Sequence, residues 1–425
     1  MKNCLGKIVS KCLMQWAGDR EAVGEYEVIG VREKVWIVFL LLLLLLCGVA
    51  ICVCFLPLLR KRLGRRGIGA FADEAEWRDA VGQKAKEMLR HMPALPEEDT
   101  PAFCVAMWRS GVDAQRLVRR RLAKLLLAAG LAQDRAPDLF LAGRACAESL
   151  LLPDGKWKVP MDRAEDAFLA YAVLSFPGME LGRIRPAMEQ TAHLLQSLAG
   201  ESDTIPADPD APDLRFARTV SDICPFLAAY AAAYEEPFYL NLAMRQLNEY
   251  LLGGMHPVQG LPAEGFDRGS GLPIGSFGWS KACAALAFGM METARYLPGA
   301  DFRSVKLRVH SRILADRLCP LWGEDGAFPR LPAASLPDTE AGAILTVFLW
   351  DVYQKTENEH YLDCVKRAMA NLRNCTRKNG MVDFAQPESL RPGFYWETET
   401  PTAGALAAAF YAAVKTEGPG REAKG

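Results

Sequence analysis

Residues 216–234 read FARTVSDICPFLAAYAAAY, and their apolar side chains recur at the three- and four-residue spacing of an α-helix. Glu236-Pro237 follows, and a proline at the first position is typical of the start of another helix. Similar periodicity recurs along the rest of the chain, with little of the alternation that marks a β-strand. The sequence therefore predicts an all-α protein.

This helical periodicity occurs in roughly twelve segments. They are cut by Gly-, Pro- and Asp-rich stretches at 203–213, 265–275 and 331–337, which predict loops. Paired helices in one domain of this size favour an (α/α)6 toroid, in which two concentric rings of helices leave a cleft at one end. Periodicity alone predicts the helices and does not establish the ring. The predicted helices begin near Ala72, Ala102, Pro137, Asp162, Arg185, Leu214, Pro237, Phe277, Phe302, Asp338, His360 and Pro401.

An N-terminal segment is a candidate transmembrane helix. Residues 35–59 contain no charged side chain, and Leu40 to Leu46 is an unbroken leucine run. A helix needs about 20 apolar residues to cross the bilayer core, so this segment is long enough. A secretory signal peptide is the alternative, but its apolar region is normally shorter and follows a short basic start. We expect a single-pass membrane protein with the lipid bilayer as one partner.

The charges that flank this segment predict its orientation. Basic residues crowd its C-terminal side, whereas the preceding flank mixes bases with acids, and the positive-inside rule then places the C-terminal domain in the cytoplasm. The seven cysteines beyond the segment are odd in number and scattered, which is typical of buried, reduced thiols rather than of disulfides or a zinc cluster. The basic residues are Arg60, Lys61, Arg62, Arg65 and Arg66.

The composition argues against nucleic-acid binding. The chain of 425 residues has a formal net charge of −1 and is 50% hydrophobic, and it lacks the basic stripe that such a protein carries. The basic cluster beside the apolar segment fits contact with lipid headgroups. We predict an N-terminal tail (1–34), a transmembrane helix (35–59), a basic linker (60–71), one helical domain (72–415) and a disordered tail (416–425).

The candidate functional residues lie where predicted helices meet loops. Acidic, basic and aromatic side chains in close succession favour a sugar-binding cleft, although a solvated ion pair or core packing explains each one alone equally well. The residues are Arg218 and Asp222 on one helix, Glu264 and Asp267 in a Gly-rich loop, and Trp279 and Lys281 at the start of the next helix.

Taken in order, these segments give residues 160–414 a resemblance to the unsaturated uronyl hydrolases, glycoside hydrolase families 88 and 105. The stretch ICPFLA at 223–228 is similar to the helix that follows the catalytic aspartate of the family. Residues 260–275 resemble a Leu-Pro-x-His-x-Tyr-Asp motif with Leu-Pro-Leu-Gly behind it. Residues 278–285 resemble Gly-Trp-Gly-Arg-Gly-x-Gly-Trp, and residues 338–343 resemble a late (Asp/Glu)-Thr-Ser motif.

The resemblance implies an (α/α)6 barrel that hydrates the C4–C5 double bond of an unsaturated uronic acid at the end of an oligosaccharide. In that chemistry an aspartic acid protonates the vinyl ether and helps to activate water, and the resulting hemiketal collapses to release the sugar. It also implies an arginine or lysine for the substrate carboxylate and an aromatic platform for the ring. We therefore expect no cofactor and no metal.

The sequence departs from the family pattern at positions that matter for this chemistry. Arg218 stands where the family has its catalytic aspartate, Glu264 replaces a histidine, and Lys281 replaces an arginine. Glu340 replaces the serine of the late motif. Arginine cannot donate a proton at physiological pH. Asp222, one turn along from Arg218, is the candidate substitute acid, with Glu264 or Asp267 as its partner. The predicted catalytic residues are thus Asp222 and Glu264, and the predicted substrate-binding residues are Arg218, Asp267, Trp279 and Lys281.

Two hypotheses of different class follow. In the first, the chain is a membrane-anchored hydrolase for oligosaccharides that end in an unsaturated uronic acid, acting through Asp222 or Glu264. Alternatively, it is a catalytically inactive relative that binds glycans or serves as a scaffold. A third alternative, a conventional glycosidase on the same fold, requires two carboxylates about 5–10 Å apart across the cleft.

Overall fold

The computed structural model describes residues 25–64, 66–91, 114–200, 203–206, 208, 210–333, 336–386 and 403–417. Thirteen α-helices and three short β-strands lie within these ranges. The helix start predicted near Ala102, most of the predicted N-terminal tail and nearly all of the predicted C-terminal tail fall outside them.

Helix α1 (Glu25–Gly64) contains the candidate transmembrane segment. Val35–Cys52 has a mean hydropathy of 3.1, and none of it is buried. Its length and composition suit a membrane span. The chain divides into two compact units, and the remaining described helices and strands belong to the second.

Twelve helices make up this second unit within the described ranges. They are α2 (Glu74–Arg90), α3 (Ala114–Gly130), α4 (Pro137–Ser149), α5 (Ala167–Leu174), α6 (Leu181–Ala199), α7 (Ala217–Tyr234), α8 (Pro237–Gly253), α9 (Ser280–Ala294), α10 (Phe302–Leu318), α11 (Thr339–Thr356), α12 (Glu359–Asn374) and α13 (Ala403–Thr416).

Six of these helices form a closed inner ring. Helices α3, α5, α7, α9, α11 and α13 contact one another in that order, and α13 contacts α3 to close the circle. Each of the other six packs on the outside of an inner helix. The inner helices are covered on most sides: every residue of α5 is buried, as is the whole of α7 from Thr219 to Ala231. The described structure is mostly helical, as predicted, and the helices of the second unit alternate between an outer and an inner ring.

Two turns from the inner ring to the outer ring have the same local geometry. Glu235 follows α7 with a φ of 58°, and Glu357 follows α11 with a φ of 55°. A left-handed residue after the last helical turn is a common way to end a helix. Pro237 then begins α8, and the side chain of Asn358 caps α12. Short turns of this kind set each outer helix against its inner partner.

A small antiparallel sheet stands beside the start of α7. It consists of β1 (Leu214–Phe216), β2 (Gly265–Asp267) and β3 (Pro273–Ile274), in the order β1-β2-β3. Arg215 lies opposite Phe266 in the register. The helix predicted to begin near Leu214 therefore begins three residues later, because the first residues pair with a distant strand. This pairing brings the loop that contains Glu264 to the entrance of α7.

Candidate functional site

A cavity of about 480 Å³ lies inside the inner ring. All six inner helices contribute to its wall, so no single segment of the sequence defines it. Alanines on α7, α9 and α13 form much of the lining, and their small side chains leave room in the middle of the ring. These alanines are Ala217, Ala282, Ala284, Ala285, Ala407 and Ala408.

Charged side chains line this cavity on several sides. Among the described residues four of these side chains are basic and three are acidic. The bases come from three different inner helices. They are Arg120 and Lys124 on α3, Arg218 on α7 and Lys281 on α9, and the acids are Asp208, Glu264 and Glu340.

Glu340 links three inner helices through buried ion pairs. Its carboxylate accepts hydrogen bonds from Lys124 of α3 and, at 2.5 Å, from Nζ of Lys281. Lys281 also lies 3.2 Å from Oδ1 of Asp338, whose Oδ2 accepts a 2.6 Å hydrogen bond from the hydroxyl of Ser280. Both acids are buried, and a charge taken out of water is costly unless it is paired and hydrogen-bonded in this way. Lys281 therefore supports the wall of the cavity as well as lining it.

Asp222 lies behind the wall. Its side chain is buried, and Oδ2 accepts a 2.6 Å hydrogen bond from Nη1 of Arg120. The hydroxyl of Ser221 donates to Oδ1 at 3.3 Å. Arg120 lines the cavity, and its guanidinium lies 5.8 Å from the centre of the Phe168 ring. This placement makes Asp222 a partner of Arg120, because the guanidinium stands on the cavity wall and the carboxylate does not.

Glu264 lines the cavity just before β2. Its backbone carbonyl accepts a 3.0 Å hydrogen bond from the N–H of Ala217, the first residue of α7. Gly275 packs against the Glu264 side chain so closely that a Cβ at that glycine would lie 2.7 Å from Oε2. The sheet and this glycine thus fix the position of a half-buried carboxylate at the cavity.

Aromatic rings complete the wall. Trp279 is buried and lines the cavity, and its indole N–H has no hydrogen-bond acceptor among the described residues. Tyr411 of α13 also lines it, and its hydroxyl donates at 2.6 Å to Glu292. Flat rings beside charged groups suit a sugar, whose faces are apolar and whose rim is polar. The other aromatic residues of the wall are Phe168, Phe216 and Phe288.

The structure brings together four of the six residues singled out from the sequence: Arg218, Glu264, Trp279 and Lys281 all line the cavity. Asp222 lies behind it, and Asp267 lies in β2, outside the lining. The carboxylate of Asp267 accepts hydrogen bonds from the N–H and hydroxyl of Ser270, and these lower its pKa. Asp267 thus stabilises the turn between β2 and β3.

Sequence reasoning missed the contribution of α3 to the wall. Arg120 and Lys124 are four residues apart in a helix that also carries Arg116, Arg119 and Arg121, and this spacing places both on one face. That pattern is a weak signal, because basic residues at this spacing are common on solvated faces. Helix α3 belongs to the inner ring, and the face that carries Arg120 and Lys124 lines the cavity.

The fold is that of the unsaturated glucuronyl hydrolases. The structure of a possible member of family GH105 from Salmonella enterica subsp. enterica serovar Paratyphi A matches with a TM-score of 0.63 and 13% identity, covering 81% of this chain and 94% of that one. An unsaturated glucuronyl hydrolase specific for heparin matches with a TM-score of 0.64 and 10% identity, covering 81% and 96%.

A third match is the unsaturated glucuronyl hydrolase of Bacillus sp. GL1, responsible for the degradation of glycosaminoglycan. Its TM-score is 0.59 with 15% identity, and the alignment covers 80% of this chain and 95% of that one. No protein-family profile and no curated protein sequence matches the chain. The resemblance seen in the sequence is thus confirmed as a likeness of fold.

Proposed function

We propose that this chain is a membrane-anchored, glycoside-hydrolase-like protein that binds oligosaccharides ending in a uronic acid. The observation that carries the proposal is the meeting of Arg218, Glu264 and Trp279 at one cavity inside the helical ring. Arginine suits a carboxylate, the ring of Trp279 suits a sugar face, and Glu264 can accept hydrogen bonds from sugar hydroxyls. The fold shared with the unsaturated glucuronyl hydrolases supports this ligand class.

Binding is favoured over turnover by the placement of the acids. Hydration of the double bond needs a carboxyl group that can donate a proton, and Arg218 cannot do so. Asp222 is held in a buried ion pair with Arg120 and does not line the cavity, so it is not placed to donate a proton to a bound sugar. Glu340 is likewise bound to two lysines. We therefore expect the protein to bind unsaturated uronides and to turn them over slowly or not at all.

Hydrolysis through Glu264 is the second candidate function. Glu264 is half-buried and lines the same cavity as Trp279, so it is the acid best placed to reach a bound sugar. In this scheme Glu264 would protonate the vinyl ether and then help to deprotonate the attacking water. A positioned acid or base typically contributes about 10²–10⁴-fold in rate, so its removal would be readily measured.

The test uses the full chain purified in detergent. Calorimetry measures the binding of an unsaturated uronyl disaccharide, and the loss of the ultraviolet absorbance of its double bond measures turnover. We expect binding in the wild type, at least about tenfold weaker binding in Arg218→Ala, and unchanged binding in the control Asp267→Asn, which lies outside the cavity.

The outcomes separate the two candidates. Turnover that Glu264→Gln abolishes would establish the hydrolase, whereas binding without turnover would establish a glycan-binding protein. Neither binding nor turnover, with variants that fold normally by circular dichroism, would refute both proposals and leave the ring as a scaffold for another partner.

A further inference from the structure

Two cysteines and a histidine meet on the outside of the ring, away from the sugar cavity. Cys319 follows α10 in a short 3-10 helix, and His360 and Cys364 lie one turn apart on α12. One ligand atom from each of the three residues lies within 4.8 Å of the other two. Both thiols are buried and the imidazole is exposed. None of the three lines the cavity.

The sequence alone gave no sign of this cluster. Cys319 and Cys364 are too far apart in the chain for any Cys-x-x-Cys pattern, and His360 carries no motif beyond its spacing of four from Cys364. That spacing places both side chains on one face of α12, and the packing of the ring then brings Cys319 to the same face. The three residues therefore come together only when the chain is folded.

The chemistry of the three groups matches a thiophilic divalent cation. Zinc binds thiolate sulfur at about 2.3 Å and imidazole nitrogen at about 2.0–2.1 Å in a tetrahedral arrangement. The ligand atoms of such a site stand roughly 3.5–3.8 Å apart, so no pair in the cluster needs to close by more than about 1 Å. The exposed His360 side chain can rotate without disturbing the core.

The surroundings of Cys364 fit a metal ligand. Nη2 of Arg367 donates a 3.5 Å hydrogen bond to its sulfur, and outer partners of this kind hold metal ligands in place. On binding a cation, each thiol that becomes a thiolate releases its proton to solvent.

We propose that Cys319, His360 and Cys364 bind one Zn²⁺ ion, with water in the fourth position. The exposure of His360 gives the ion and the water a path from solvent. The bound ion would join the end of α10 to α12, two outer helices of successive hairpins that the described contacts link mainly through α11. The site is separate from the sugar cavity and does not depend on the function proposed for it.

The test uses the full chain in detergent, stripped with a chelator and kept reduced. Zn²⁺ is titrated against a competing chromophoric chelator, and Co²⁺ is used as a spectroscopic probe. We expect one Zn²⁺ per chain and a thiolate-to-Co²⁺ charge-transfer band. Cys319→Ser, Cys364→Ser and His360→Asn should each weaken Zn²⁺ binding beyond the roughly 10–100-fold typical of losing an outer partner, and Arg367→Ala should fall within that range.

Cys375→Ser is the matched control, because Cys375 is also buried and follows the same helix but stands outside the cluster. His360→Asn keeps the test valid if the buried variants fail to fold, since an exposed residue contributes little to the core. Equal Zn²⁺ binding by His360→Asn and the wild type would overturn the proposal. A Cys319–Cys364 disulfide that forms in the native protein and excludes Zn²⁺ would overturn it as well.

Discussion

Arg218 and Asp222 stand one helical turn apart on α7 in different surroundings. Arg218 is half-buried and lines the cavity, whereas Asp222 is buried 2.6 Å from Arg120 of α3. A fixed positive charge thus stands on the wall where the resemblance implies an acid, and the nearest acid on α7 lies one turn behind it. An arginine in place of the acid at this position of the wall favours the binding of a carboxylate over the protonation of a double bond.

We predict that Asp222→Ala loses about 3–5 kcal/mol in the free energy of unfolding, because Arg120 would remain buried without its carboxylate. Urea unfolding followed by circular dichroism measures the loss. Asp267→Ala, at the edge of the sheet, should change the stability little. If Asp222→Asn kept the wild-type stability and lost a measurable turnover, Asp222 would be the catalytic acid and the structural role would be wrong.

Sequence reasoning identified those site residues that lie within a loop-to-helix motif. Glu264, Trp279 and Lys281 are close in the chain, so the pattern of acid, aromatic and base was visible before the fold was known. Arg120 and Lys124 could not be identified, because their role depends on which face of α3 turns inward. The environment of Asp222 was equally hidden, since its partner Arg120 lies 102 residues away.

At the scale of elements, the hairpin of β2 and β3 controls the position of Glu264. Gly275 has a φ of 74° and meets the Glu264 side chain, whereas Gly271 has a φ of 69° and meets nothing within 4 Å. Alanine at either position suffers similar backbone strain, and only Gly275→Ala displaces Glu264. We predict that Gly275→Ala weakens uronide binding about tenfold relative to Gly271→Ala, a difference of about 1.4 kcal/mol by calorimetry. Equal affinities would show that Glu264 makes no contact with the sugar.

The buried carboxylate of Glu292 on α9 connects several helices. It accepts hydrogen bonds from the hydroxyls of Tyr171 on α5, at 2.5 Å, and Tyr411 on α13, at 2.6 Å, and from Arg295 at 2.5 Å. Burial favours the neutral acid, but Arg295 and the two hydroxyls outweigh it, and the pKa of Glu292 lies below its ordinary value of 4.5. The ionised carboxylate therefore ties three inner helices together.

The sign of this shift predicts a pH dependence. Since the folded pKa is lower than the unfolded one, ionised Glu292 stabilises the fold above about pH 4.5, and this contribution is lost as the pH falls through the folded pKa. We expect the stability difference between the wild type and Glu292→Gln to be largest near neutral pH and to shrink below pH 4.5. Glu189→Gln, which removes an exposed ion pair with Arg185, should show a small difference throughout. If the difference in stability between the wild type and Glu292→Gln did not change with pH, the prediction would be wrong.

Most helices were predictable as elements, because their starts carry local signals. Pro137 and Pro237 stand at first helical positions, and the side chains of Asp301 and Asp338 cap α10 and α11. The start of α7 was misplaced by three residues, since β1 forms only through pairing with β2 about fifty residues later in the chain. Local patterns cannot show such a pairing.

At the scale of the whole molecule, the periodicity of the sequence predicted helices but not their arrangement in a ring. The ring is established by the contact of α13 with α3, which joins the last described helix to one of the earliest. Contacts over such a distance along the chain have no local signature. The described helices of the second unit share one hydrophobic core, so they form one domain rather than two independent ones.

The last prediction concerns the topology of the whole chain. Five basic residues follow the apolar segment between positions 60 and 66, and the positive-inside rule assigns them to the cytoplasm together with the domain behind them. Five of the six cysteines described in that domain are buried. With an epitope at the C-terminus, we expect protease added to intact cells to leave the domain whole, and the same protease to digest it after lysis.

Deletion of residues 35–59 is the control for the anchor, and it should release the domain from membranes that otherwise retain it in alkaline carbonate. Replacing the five basic residues with neutral ones tests whether their charge sets the orientation. If it does, a fraction of the chains should insert with the domain on the other side of the membrane. If protease added outside intact cells digested the wild-type domain, the domain would lie outside the cell and the predicted orientation would be wrong. The cavity would then face the exterior, where a uronide released from an extracellular polysaccharide could reach it without crossing the membrane.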